Sequence, residues 1–192
     1  MQVWFMMVFL LQVVGTTTLG KYPYQIHYQL QDFQGDTPVQ IRGTLWVLGS
    51  LCKSVRVYPD GITQIELYDG SQWWLYLSNA PYVTPSDHPP LRSVLEFFVG
   101  KEIPLTSETG EIPCKNGKIL LKGVRQIPGL GPVPEQVIQV NAQGKPVWKI
   151  IVTSIKEAPE ITEDFFQKSN LPSPGNVELK ARDKDKNPVW DY

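Results

Sequence analysis

From Tyr22 to Ile155 the chain is a series of short runs in which every second residue is apolar, cut apart by prolines and glycines. Side chains on a strand point alternately to its two faces, so a period of two makes half-buried strands. The 17 prolines and 15 glycines that separate the runs leave little length for helices. Tyr22–Leu30 alternates, Gln34–Pro38 reads as a turn, and Val39–Leu48 alternates again, with Val39, Ile41, Gly43, Leu45 and Val47 on one side and Trp46 on the other. Ser54–Tyr58 and Ile62–Tyr68 are joined by Pro59-Asp60-Gly61, and Asp69-Gly70-Ser71 leads into Gln72–Leu77. Such Asp-Gly connections are tight hairpin turns, and the succession predicts an antiparallel meander.

The period changes at Leu91. Leu91, Val94, Leu95, Phe98 and Val99 follow helical spacing, with Pro89-Pro90 before them and Gly100 after. Strands resume at Lys118–Gln126, Glu135–Val140 and Pro146–Ile155, and Pro128–Pro134 is expected to be a loop that no regular element crosses. The expected fold is mainly β (α+β): a strongly curved antiparallel sheet forming a half-open barrel, with a helix packed on its concave face.

Residues 1–20 read as a signal-like leader, residues 21–179 as one domain, and residues 180–192 as a charged, loose tail. The leader is the apolar run Val3–Val14 followed by small and polar residues, shorter than a membrane span needs. Lys or Arg is missing ahead of it, and an N-terminal helix packed on the fold is the other reading of the same run. Export would put the chain in an oxidising compartment, where Cys52 and Cys114 form a bridge or remain two separate buried thiols; spacing does not choose between them.

Chemistry has little to work with. The two histidines, His27 and His88, lie apart, no nucleophile or phosphate-loop motif occurs, and Asp60, Glu66 and Asp69 are expected in turns or on an exposed strand face. No enzymatic role and no cofactor is expected. The net charge of −1 argues against nucleic acid as partner and against electrostatic docking on an anionic membrane, since both require clustered Lys and Arg. The chain is expected to be monomeric.

Aromatic residues are concentrated in one stretch: Trp46, Tyr58, Tyr68, Trp73, Trp74, Tyr76 and Tyr82. Trp73 and Trp74 are neighbours, so on a strand they face opposite sides. These rings either fill the space between sheet and helix or line an apolar ligand cavity. In the second case Trp46, Tyr68, Trp73 and Trp74 on the sheet and Leu91, Leu95 and Phe98 on the helix are the candidate lining.

The motifs in order are Gly43-Thr44-Leu45-Trp46 on one strand, Arg56 on the next, and Asp69-Gly70 followed by Trp73 or Trp74 and Tyr76 two strands on. A helix at Leu91–Val99 and Phe165 or Phe166 with Pro174-Gly175 complete the series. The series resembles the LolA-like superfamily of periplasmic lipoprotein-sorting carriers over about residues 22–179. That resemblance implies an unclosed curved sheet with helices on its concave side, and a cavity for acyl chains of lipids or lipoproteins in the bacterial envelope. It also implies an envelope protein as a further partner. Leu48-Gly49 stands where the carrier has an Arg-Pro pair whose arginine works its lid. An interaction module on the same fold, with a filled core and no lipid, is the competing expectation.

Overall fold

The computed structural model describes residues 23–86 and 110–172. The helix expected at Leu91–Val99, with Leu91, Leu95 and Phe98, the leader and the charged tail lie outside the described residues. The order of elements is β1 (Tyr24–Asp32), β2 (Val39–Leu48), β3 (Leu51–Val57), β4 (Thr63–Tyr68), β5 (Trp73–Leu77) and β6 (Ala80–Ser86), then β7 (Glu111–Cys114), β8 (Gly117–Lys122), β9 (Arg125–Ile127), β10 (Gly131–Val133), β11 (Gln136–Asn141) and β12 (Pro146–Glu157). Two 3-10 turns follow at Glu163–Phe166 and Lys168–Asn170.

Ten strands form one antiparallel sheet in the order β6-β5-β4-β3-β2-β1-β12-β11-β8-β7. It is not closed, and β1 pairs with the late strand β12 to join the meander β1–β6 to the second half of the chain. The molecule is thus mainly β, as the alternation predicts, with almost no helix among the described residues.

Two departures from the sequence reading share one cause. The run expected as a single strand over Lys118–Gln126 breaks into β8 and β9 at Gly123, which takes φ +64°. The segment Pro128–Pro134 is not free of regular structure, because β10 lies within it and pairs with β9. Gly129 (φ +73°) and Gly131 (φ +87°) close the turn, and Pro132 sits opposite Gln126 in a ribbon with open edges, where a missing N–H costs no ladder bond.

Register sorts the side chains onto two faces. One, the inner face, carries Tyr24, Ile26 and Tyr28 of β1, Leu45 and Val47 of β2, Ile119 and Leu121 of β8, Val137 of β11, and Ile150 and Val152 of β12 in one continuous apolar cluster. The β9–β10 flap contributes Leu130 and Val133 to that cluster. The other, outer face has a second cluster on β3–β6, with Ile65, Leu67, Trp74 and Tyr76 packed against Phe165, Phe166 and Leu171 of the C-terminal turns.

Candidate functional site

Three cross-strand rows build the inner face over β1–β5. Tyr24, Val47, Cys52, Tyr68 and Trp73 form the first, and Ile26, Leu45, Ser54, Glu66 and Leu75 the second. Tyr28, Gly43, Arg56, Gln64 and Leu77 form the third. The first row is apolar or aromatic throughout, and Tyr68 and Trp73 stack with ring centroids 5.3 Å apart. The other two rows turn polar at β3 and β4.

Those polar residues form one network. Arg56 Nε donates to Tyr28 Oη at 3.1 Å, and its guanidinium meets Glu66 at 3.5 Å. Tyr28 Oη lies 3.3 Å from Ser54 Oγ, Gln64 Nε2 donates to Glu66 at 2.9 Å, and Tyr58 Oη donates to Gln64 at 2.7 Å. Burial alone would push the Arg56 guanidinium down; the negative charge of Glu66 and the hydrogen bond to Tyr28 outweigh it, and the net shift is upward. Glu66, expected on an exposed strand face, is in fact enclosed by this network, because β3 and β4 place it beside Ser54 on the inner side.

The flap lies on the apolar side of this face. Its base is closed by Glu135 N donating to Gly123 O at 3.2 Å and by the Arg125–Glu135 ion pair at 3.1 Å. Its tip is tied to the sheet by Tyr24 Oη donating to Pro128 O at 2.7 Å. Leu130 and Val133 are the apolar anchors between these two ties. Sequence reasoning overlooked them; the only signal was a pair of large apolar residues inside a Pro/Gly-rich stretch.

The sheet divides the aromatic set. Tyr68 and Trp73 are on the inner face, whereas Trp46 and Trp74 belong to the outer row Trp46–Lys53–Leu67–Trp74. There Trp46 meets Phe165 edge-on at 5.3 Å, and Lys168 Nζ sits 3.9 Å above the Trp74 ring. Trp74 Nε1 donates to Asp69 Oδ2 at 2.7 Å, and Asp69 Oδ1 accepts from the backbone N–H groups of Ser71 and Gln72, both at 2.9 Å. The Asp-Gly turn is therefore a structural device that seats Trp74. Burial raises the Asp69 carboxyl, but these hydrogen bonds prevail and hold it at about 2.

Cys52 and Cys114 are both free thiols, so of the two states open to them the structure has the unbridged one. Cys52 is fully buried between Val47 and Tyr68, while Cys114 ends the edge strand β7, half-buried near Gln139. Burial pushes the Cys52 thiol well up, with Glu66 adding to the shift and Arg56 opposing it. Among the described residues no group of three or more His, Cys, Asp and Glu side chains is placed to hold a metal ion, and no helix is long and apolar enough to cross a membrane.

An open antiparallel sheet with one continuous apolar face and a polar network at one end of it defines the class of the molecule by fold. Among solved structures, an outer membrane lipoprotein-sorting protein domain from Vibrio parahaemolyticus is similar to it, with a TM-score of 0.52 and 10% identity over 80% of this chain and 93% of that one. A LolA superfamily protein from Nitrosomonas europaea superposes with a TM-score of 0.49 and 12% identity, over 81% of this chain and 94% of that one. The first of these likenesses shows that the chain shares the fold of a lipoprotein-sorting domain, the LolA-like fold that its motifs resemble. No known protein family matches it by sequence, and no curated protein does so either.

Proposed function

We propose that this protein is a non-enzymatic carrier or binder of an acyl chain, of a lipid or a lipoprotein, acting in the bacterial periplasm or an equivalent exported location. The observation that carries the reading is the apolar inner face, which runs unbroken from β2 through β1, β12 and β11 to β8. An acyl chain gains about 0.8 kcal/mol per buried CH₂, so such a surface binds it without a charged grip. The likeness to a lipoprotein-sorting domain supports the same reading through the fold. On this reading Tyr68 and Trp73 line the aromatic end of the path, and Leu91, Leu95 and Phe98 complete it. The Tyr28–Arg56–Glu66 network limits how far the tail reaches. Leu130 and Val133 of the flap lie on the same surface, so an incoming chain displaces them, and its apparent affinity is reduced by the fraction of molecules in which the flap is closed.

The test is lipid extraction and native mass spectrometry of the purified protein, followed by titration with a fluorescent fatty acid. A co-purifying acyl chain, and saturable binding weakened by Trp73→Ala but little changed by Trp46→Ala, are expected. Absence of both the co-purified chain and the fluorescent ligand sinks the proposal and leaves the filled-core interaction module standing.

A further inference from the structure

The outer face of β2, β1, β12, β11 and β8, beside the half covered by the C-terminal turns, concentrates positive charge that no acid among the described residues neutralises. Register places Arg42, Gln29, Ile151, Gln136 and Lys122 in one cross-strand row. The next row is Gln40, Gln31, Lys149, Ile138 and Leu120, and Lys156 stands opposite Gln25 beyond the first. Opposite charges on facing strands stabilise a sheet, so carboxylates would be the expected neighbours of these cations. Their neighbours here are neutral: Gln29 beside Arg42, Gln136 beside Lys122, Gln31 and Ile138 beside Lys149, and Gln25 beside Lys156. The amides also satisfy one another, as Gln40 Nε2 donates to Gln29 Oε1 at 3.0 Å.

Glu111, the acid at the end of the second row, is taken by Lys118 at 2.8 Å. Among the described residues Arg42, Lys122, Lys149 and Lys156 have no ion-pair partner. Glu163 and Asp164 belong to the first C-terminal turn, which packs on β3 in the covered half. Among the described residues the sheet thus carries a basic face that the net charge of −1 does not reveal.

From Arg42 to Lys122 the row spans four strand spacings, about 19 Å. Cations spread that widely match a plane of many anions better than one small anion. Half-buried Ile151, Ile138 and Leu120 lie between them, apolar groups suited to an interface. We propose that this face docks the protein onto an anionic phospholipid bilayer, whatever the opposite face holds.

The test is flotation of the full chain with vesicles of pure phosphatidylcholine and with vesicles containing about one part in three phosphatidylglycerol, at low and high salt. The triple variant Arg42→Gln/Lys122→Gln/Lys149→Gln is compared with Lys115→Gln/Lys145→Gln, whose lysines lie in turns. Thermal melts of both variants establish that the fold is kept. Wild type and the turn variant should bind the anionic vesicles in a salt-sensitive way, and the triple variant should bind about a hundredfold more weakly, roughly fivefold per cation removed. Equal binding to neutral and anionic vesicles overturns the proposal, as does equal loss in the two variants. Retention on single-stranded RNA without vesicle binding also overturns it, and reassigns the face to nucleic acid.

Discussion

The ring of Tyr28 lies across Gly43 on the neighbouring strand, so close that a Cβ at Gly43 would fall 2.1 Å from Tyr28 Cζ. Glycine there is a matter of space: it lets the ring cross β2 and deliver its hydroxyl to Arg56 and Ser54 on β3. Gly43→Ala should destabilise by about 2–3 kcal/mol, the cost of overpacking a filled site. In a Tyr28→Ala background the same change should cost much less, because the ring it strikes is gone. Chemical denaturation of the four proteins of this cycle measures the coupling, and additive losses would rule the contact out as the reason for the glycine.

The flap is held to the inner face by Leu130, Val133 and the hydroxyl of Tyr24. With so few ties it should open as a unit of its own, below the free energy of global unfolding. Leu130→Ala combined with Tyr24→Phe should therefore speed hydrogen exchange at the Leu130 amide, which bonds Ile127 O at 3.0 Å, by at least about tenfold. Amides of β1 and β2 should exchange as before. Equal acceleration across the sheet would make the flap part of the global folding unit.

Much of this architecture was legible in the residues. Period-two alternation in Val39–Leu48 fixed both the strand and its buried side, and Asp69-Gly70 marked its hairpin correctly, because these are local effects of backbone geometry. The flap was not legible, since prolines and glycines that usually end regular structure here make a ribbon whose edges need no N–H. Nor was the division of the aromatics: Trp73 and Trp74 had to face opposite ways, but which one met the core depends on the β4–β5 register. Enclosure of Glu66 depends on the β3–β4 register and on Tyr28 reaching across β2, and the basic outer face on the pairing of β1 with the distant strand β12. A net charge cannot express either.

Asp69 ties a pH effect to the turn before β5. Its folded pKa of about 2 lies below the ordinary 3.8, so the fold favours the carboxylate and gains stability from it above 3.8. That contribution is lost as pH falls from 3.8 towards 2, where the unfolded chain holds more protons than the folded one. Melting temperature should decline over this window, and Asp69→Asn should show a shallower decline with a lower starting point at neutral pH. Trp fluorescence should report the same change, since Trp74 Nε1 loses its charged acceptor. Parallel pH curves for the two proteins would contradict the assignment.

Lys53 presents the opposite sign. It lies in the outer row between Trp46 and Leu67, 7% exposed, with its Nζ 4.2 Å from the centre of the Phe165 ring and 3.5 Å from Asn170 O. No carboxylate among the described residues pairs with it. Burial lowers its pKa from the ordinary 10.5, so at neutral pH the fold bears the cost of an enclosed charge that one carbonyl and one ring face only partly offset. As pH rises from the folded pKa to 10.5 the unfolded chain holds the extra proton, and stability rises relative to a variant without the group. Lys53→Met keeps the length of the aliphatic stem and removes the charge. It should stabilise the protein by about 1 kcal/mol at neutral pH, raising Tm by about 2–4 °C for a chain of this size. Lys53→Ala should instead destabilise, because it also removes the packing against Phe165. Differential scanning calorimetry of the three proteins separates charge from packing, and a Lys53→Met variant less stable than wild type would mean that the ammonium group holds the C-terminal turns in place.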